Sequence, residues 1–144
     1  MRAAPVLLAG ALLLAGCGKA EPPADAPADS MPAADTPAPA VEPTAAMGEQ
    51  IFKRCMACHT IGKDEPNGIG PNLHGIVGRA VAGHAGFSYS AALKAKGGNW
   101  DAAHLDQFLE SPMKYAPGTR MAFAGIIDAA DRKALILYLE EQSK

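Results

Sequence analysis

The chain has 144 residues, a formal net charge of −2 and 19% charged residues. This length accommodates one small domain but not two full ones. The near-neutral charge argues against a nucleic-acid binder, which normally carries a basic stripe, and three cysteines are too few for a fold built from disulfides. Aromatic residues make up only 6% beside a hydrophobic share of 49%, so either the core is aliphatic or something other than side chains fills it.

Residues 1–16 have the features of an export signal. One positive charge, Arg2, precedes an apolar run of about a dozen residues, whereas a bilayer-spanning helix needs about 20. The run ends in the tetrapeptide LAGC, which closes at Cys17 and resembles the box at which bacterial lipoproteins are cleaved. The alternative is an ordinary secretory signal with a chance cysteine. The resemblance implies that Cys17 becomes a lipidated N-terminus.

Residues 17–46 are predicted to form a tether that begins at the lipidated cysteine. Its residues 18–46 contain ten Ala, seven Pro, five acids and one Lys, with no aromatic residue and no apolar periodicity. Such a composition cannot bury enough apolar surface to fold, and scattered prolines favour extended conformations. We therefore expect a disordered Ala/Pro-rich linker. With the signal, it places the rest of the chain in the bacterial periplasmic space, lipid-anchored to a membrane that the sequence does not specify.

Residues 47–144 are predicted to form one all-α domain with 11 basic and 10 acidic residues. Apolar periodicity and capping residues predict four helices, at residues 48–57, 89–96 after an N-cap Ser88, 102–110 after an N-cap Asp101, and 128 to about 142. Residues 62–86 are rich in Gly, Asn and His, which is typical of a loop. No stretch of the domain shows the alternating pattern of a strand.

The candidate chemistry lies in Cys55-Met56-Ala57-Cys58-His59, the C-x-x-C-H pattern of c-type haem attachment. Two thiols one helical turn apart can add to the two vinyl groups of one porphyrin, and His59 can then ligate the iron. A redox C-x-x-C pair would need a βαβ context, which this helical segment lacks. A zinc site would need two more ligands at regular spacing, and the domain has no other cysteine. The sequence therefore predicts one covalent haem c.

A second axial ligand decides between electron transfer and enzymatic chemistry. Three methionines are candidates. Met56 lies inside the C-x-x-C-H motif and would face away from the iron. Met113 follows Pro112 at the end of a predicted helix, whereas Met121 lies in a turn-rich loop, residues 116–121, that can present a side chain. The spacing favours Met121 and leaves Met113 open, because either could be a packed methionine.

Several further stretches of the domain follow the C-x-x-C-H motif in a recognisable series: GPNLHG with Gly78 and Arg79, GFSYS at residues 86–90, the lone Trp100, and SPMKYAPGTRMAFAGI at residues 111–126. In this order and spacing they resemble class I cytochromes c of the mitochondrial and related bacterial type. The resemblance covers nearly all of residues 47–144 and none of the first 46. It implies a single-domain all-α fold whose helices wrap around one covalently bound haem.

The resemblance also implies a role for each matching residue. Met121 would be the distal axial ligand, opposite His59. The carbonyl of Pro71 would accept the ring N–H of His59, which orients the imidazole and raises its donor strength. The remaining matching residues would bind or lie near the haem propionates: Arg79, Tyr89, Trp100 and Thr119.

With both axial positions filled, the iron would have no open site, so we expect a one-electron carrier rather than an enzyme. The resemblance implies a monomer that docks at the exposed haem edge. It would shuttle electrons between a quinol-oxidising respiratory or photosynthetic complex and a terminal oxidase or similar acceptor. Two alternatives stay open: a haem peroxidase, which needs a vacant or labile distal site, and a haem subunit or sensor of a larger complex.

Fewer positively charged residues are expected around the haem edge than in the mitochondrial type. The resemblance places six residues there, of which three keep a positive charge (Arg54, Lys114 and Arg120) and three do not (Met113, Ile127 and Asp128). We therefore expect partner binding that depends only weakly on salt.

Overall fold

A computed structural model describes residues 41–144. These residues form five helices: α1 Ala45–Phe52, α2 Ala91–Lys96, α3 Ala102–Glu110, α4 Pro112–Tyr115 and α5 Ala129–Glu141. Within the described range the only extended pairing is an isolated bridge between Ala80 and Asn99. The all-α prediction is confirmed.

The predicted export signal and Cys17 lie outside the described residues, as does most of the predicted linker. Helix α1 includes Ala45 and Ala46, which the sequence boundaries assign to the linker. Between residues 41 and 144, no helix combines the length and the apolar character needed to cross a bilayer.

Aspartate caps define the starts of the two longest helices. The side chain of Asp101 accepts the amide N–H of His104 at 2.8 Å, and that of Asp128 accepts the amide N–H of Asp131 at 2.9 Å. Each carboxylate satisfies an amide that has no partner within its own helix. Both predicted starts are confirmed, and α3 ends at Glu110 as predicted.

Both predicted bounds of the first helix and the predicted start of the second were wrong, whereas the second ends at Lys96 as predicted. Helix α1 begins after Thr44 and ends at Phe52, because residues beyond it form tighter turns in which Cys55 donates to the Phe52 carbonyl three residues back, at 2.7 Å. Helix α2 begins after Ser90, not Ser88: the Ser90 hydroxyl accepts the Leu93 amide at 3.2 Å.

Helix α4 was missed because Pro112 indicates a helix end. The proline instead occupies the first turn of a new helix, where its missing N–H would be unpaired anyway and its fixed φ fits the helix. The result is a short element that separates α3 from the loop carrying Met121.

Helices α1 and α5 pack against each other at closest range through Gly48. A Cβ atom at this position would overlap the backbone carbonyl of Ala134 and lie 2.8 Å from the Cβ atom of Tyr138. One turn further along, the rings of Phe52 and Tyr138 lie 5.3 Å apart. The two terminal helices of the domain can therefore touch backbone to backbone.

Apart from the contact between α1 and α5, the core contains a cluster of three aromatic rings. Trp100 is 5% exposed, and its ring lies 5.0 Å from that of Phe108 and 5.8 Å from that of Tyr115. Phe108 and Tyr115 meet edge to face at 5.5 Å. These rings join α3, α4 and the segment before α3 into one packed unit.

Candidate haem site

The C-x-x-C-H motif forms turns directly after α1. The carbonyl of Cys55 accepts the amide N–H of Cys58 at 3.0 Å and that of His59 at 2.9 Å. One peptide group thus sets the positions of both cysteines and the histidine. Cys55 is half-buried and Cys58 is exposed, and both are free thiols. Burial raises the pKa of the Cys55 thiol, so the side chain is neutral at pH 7.

The His59 imidazole is oriented by the backbone of Pro71. Its Nδ1–H donates to the Pro71 carbonyl oxygen at 2.8 Å, so the hydrogen bond expected from the resemblance is present. A proton on Nδ1 leaves the lone pair on Nε2 free to ligate a metal. Burial lowers the pKa of His59, and the bond to Pro71 opposes this only in part. Neutral imidazole, the form that ligates, is therefore favoured.

Two glycines let the segment before Pro71 lie against the motif. A Cβ atom on Gly70 would lie 2.6 Å from His59 Nδ1, and one on Gly68 would lie 2.6 Å from the Cys58 carbonyl oxygen. The amide of Gly70 donates to the same carbonyl at 2.8 Å. Sequence reasoning gave these glycines no role of their own, because the contact joins residues that are distant in the chain.

Asn72 closes the loop beyond the motif, and sequence reasoning missed this as well. Its side chain is 3% exposed and donates to Thr60 Oγ1 at 2.8 Å and to the Gly62 carbonyl at 2.9 Å. Its amide oxygen accepts the His74 N–H at 2.9 Å. A buried amide with all these partners fixes the loop that presents the Pro71 carbonyl to His59.

Three of the predicted propionate residues lie together. The Arg79 guanidinium donates to the carbonyls of Asn72 and His74. Arg79 lies beside the Tyr89 hydroxyl. Burial raises the pKa of Tyr89, and the positive charge of Arg79 opposes this rise in part. The backbone of Trp100 pairs with that of Arg79 at 2.8 Å. A guanidinium has five N–H donors, so Arg79 keeps donors for an incoming carboxylate.

Thr119 lies on a different segment from those three residues. Its hydroxyl accepts the amide N–H of Met121 at 3.3 Å, which stabilises the turn that carries this methionine. The contacts of Arg79, Tyr89, Trp100 and Thr119 with haem propionates stay predictions.

Burial separates the candidate methionines. Met121 is half-buried and packs against the hydrophobic core, whereas Met113 on α4 is 55% exposed and Met56 is 62% exposed. This favours Met121 as the distal ligand over Met113, which the spacing had left open. The axial role of Met121 stays a prediction.

The donor set and its surroundings fit a c-type haem. The chain offers two free thiols, an imidazole whose Nε2 is free and a half-buried thioether. Apolar side chains beside them rest on the core and yet stay partly exposed in the polypeptide alone: Leu73, Tyr89, Met121 and Phe123. An apolar porphyrin would complete this surface, with Cys55 and Cys58 holding the ring and His59 and Met121 reaching the iron.

Comparisons with known proteins identify the family of the chain. The cytochrome c family model matches residues 45–143. A cytochrome c from Stellaria longipes is 49% identical over 104 residues, which cover 72% of this chain and 96% of that protein. A cytochrome c homologue from Bradyrhizobium diazoefficiens is 46% identical over 98 residues, covering 67% of this chain and 53% of its own.

A solved structure, cytochrome cH from Methylobacterium extorquens, is 45% identical with a TM-score of 0.64, and the match covers 68% of this chain and 98% of that one. Members of this family are electron-transfer proteins, not enzymes, and bind haem c through a cysteine pair. The chain therefore belongs to the cytochrome c family and carries electrons on one haem c bound covalently by Cys55 and Cys58.

Proposed function

We propose that this protein is a membrane-tethered one-electron carrier with its haem iron ligated by His59 and Met121. The hydrogen bond from His59 Nδ1 to the Pro71 carbonyl carries this proposal, because it aims a neutral imidazole with a free Nε2 into the site. When bound, the haem supplies reversible one-electron chemistry between Fe(III) and Fe(II).

The chain's own residues tune that chemistry. Pro71 orients His59 and strengthens its donation. The thioether of Met121 would favour the reduced state and raise the reduction potential. With both His59 and Met121 bound, the iron would have no place for oxygen or peroxide, which argues against a peroxidase. Arg79 and Tyr89 hold a positive charge and a hydroxyl where the propionates would lie.

The N-terminal features support a lipid anchor outside the cytoplasm. Cys17 and the start of α1 at Ala45 are separated by 27 residues. At about 3.1 Å per residue, an extended Pro-rich linker of this length reaches about 80 Å. A carrier on such a tether can move between a quinol-oxidising complex and a terminal oxidase or similar acceptor in the same periplasmic space.

Membrane fractionation of cells that express the full chain tests the anchor. We expect the wild type in the membrane fraction and Cys17→Ala in the soluble periplasmic fraction, both positive for covalent haem stain. Ser30→Ala, a small substitution within the linker, controls for handling and should partition like the wild type. Equal partition of wild type and Cys17→Ala would contradict lipidation of Cys17.

The surface charge predicts how electron transfer responds to salt. Met113 is 55% exposed and Ile127 is 93% exposed, so apolar side chains occupy positions at which a basic carrier would attract its partner. We expect the second-order rate of transfer to a partner oxidase to fall by about threefold or less between roughly 10 and 200 mM salt. The paired change Met113→Lys with Ile127→Lys should steepen the dependence. A steep decline in the wild type would contradict the prediction.

A further inference from the structure

Among residues 41–144, Arg132 in α5 is the only buried charged residue, with 6% of its surface exposed. Its Nε donates to Asp106 Oδ1 on α3 at 2.6 Å. Its Nη1 donates to two successive backbone carbonyls, those of Ile126 at 2.9 Å and Ile127 at 2.7 Å. One guanidinium thus joins two helices to a single stretch of backbone.

That stretch is the downstream end of the loop that carries Met121. The amide of Ile126 donates to the Leu109 carbonyl at 2.8 Å. Gly125, with a φ of +103°, approaches α3 so closely that a Cβ atom would lie 2.9 Å from the Glu110 carbonyl carbon. The backbone at residues 125–127 is therefore held on one side by α3 and on the other by Arg132.

The middle of the loop has weaker support. The amide of Met121 bonds only within the loop, to Thr119 Oγ1 at 3.3 Å, and Phe123 donates back to the Met121 carbonyl at 3.1 Å. Upstream, Arg120 reaches the Ser88 carbonyl from an exposed position. The position of the Met121 side chain therefore depends on how firmly the ends of the loop are held.

The chemistry of arginine suits this task better than a general stabilising role. The Asp106 side chain is 43% exposed, and an ion pair that reaches solvent adds little net stability, while burial of the guanidinium costs desolvation. What arginine does provide is a planar set of donors that can hold a carboxylate and peptide carbonyls in one fixed geometry. Lysine has a single ammonium and cannot reproduce that geometry.

We propose that Arg132 is a positioning residue for the distal ligand: by fixing the Ile126 and Ile127 carbonyls, it keeps the loop closed and the Met121 thioether at the iron. This inference rests on the proposed ligation by His59 and Met121. A soluble ligand can reach the iron only while the loop is open. Its apparent affinity therefore rises in proportion to the open fraction.

Imidazole binding to the oxidised, haem-loaded full chain measures this open fraction. We expect Arg132→Gln to bind imidazole about tenfold more tightly than the wild type, the change produced by losing hydrogen bonds to a charged donor. Arg132→Lys should fall between the two. Met121→Ala, with no thioether to displace, sets the upper limit of affinity.

Ser143→Ala is the matched control, because it removes hydrogen bonds just beyond the opposite end of α5. The Ser143 hydroxyl accepts the Val77 N–H at 3.1 Å and donates to the Leu139 carbonyl at 2.7 Å. Unfolding by urea, measured for every variant, reports the loss of stability. We expect Ser143→Ala to lose stability while its imidazole affinity changes by less than about twofold.

The possible results separate this inference from the proposed ligation. Wild-type affinity in both Arg132 variants would overturn the role of Arg132, and so would equal tightening in Ser143→Ala at equal loss of stability. If the wild type binds imidazole as tightly as Met121→Ala, the Met121 ligation itself is wrong. If Arg132→Gln does not fold, Arg132→Lys alone decides: tighter binding than the wild type supports the proposal, and unchanged binding overturns it.

Discussion

Replacement of Met121 by alanine is expected to lower the reduction potential of the haem by about 100 mV or more, because axial ligands set potentials over a range of roughly 0.8 V. A thioether stabilises Fe(II) relative to Fe(III), and its loss removes that preference. Met121 is half-buried against the core, so alanine also leaves space through which water reaches the iron. The change should therefore alter both the potential and the accessibility of the distal side.

A spectroelectrochemical titration of the full chain measures the potential directly. Met113→Ala is a matched control, since it makes the same side-chain change at an exposed methionine eight residues earlier. Its potential should equal that of the wild type. A large shift in Met113→Ala with none in Met121→Ala would show that the distal ligand is Met113 and not Met121.

Gly48→Ala is expected to destabilise the protein by about 3 kcal/mol. Inside a helix this change normally gains about 1 kcal/mol. Here the added methyl group would overlap the Ala134 carbonyl and lie 2.8 Å from the Cβ atom of Tyr138. Neither neighbour can turn aside, because one is helix backbone and the other is a Cβ atom fixed to it. Steric overlap therefore outweighs helix propensity, and α1 must move away from α5.

Urea unfolding of the haem-loaded protein measures this loss. Glu49→Ala, at the neighbouring exposed position of the same helix, is the control and should change the free energy of unfolding by less than about 0.5 kcal/mol. A Gly48→Ala protein as stable as the wild type would show that the two helices do not pack as closely as the structure has them.

Local chemistry accounts for the parts of the fold that could be predicted from the sequence. Asp101 and Asp128 cap helices through bonds to residues three positions on, so their effect is contained in a short window. The C-x-x-C-H motif is equally local. Helix ends were predicted less well, because Phe52 ends α1 through tight turns that the apolar pattern does not distinguish from helix, and Pro112 can end one helix or begin another.

The supporting residues of the site depend on contacts between distant parts of the chain. Gly70 matters because a ring eleven residues earlier lies against it, and Asn72 because it joins both sides of a loop. Arg132 has the sequence context of a solvated helix face, and only the folded chain brings it to the Ile126 and Ile127 carbonyls. Sequence patterns predict which groups do the chemistry, whereas the residues that hold them emerge from packing.

The low aromatic share of the chain is also explained in part by the fold. Three of the eight aromatic residues, Trp100, Phe108 and Tyr115, are concentrated in one cluster. Apolar side chains near the haem ligands stay partly exposed in the polypeptide alone, among them Leu73 and Phe123. The covalently bound porphyrin would supply the missing aromatic bulk at that surface.

Carbon monoxide binding to the reduced, haem-loaded wild type tests the central claim most directly, because this ligand needs an open axial position on Fe(II). With His59 and Met121 both bound, the spectrum of the wild type should not change under carbon monoxide, whereas Met121→Ala should bind it stoichiometrically. Ready binding by the wild type would contradict the account, since it would show an open or labile distal site of the kind that a haem peroxidase requires.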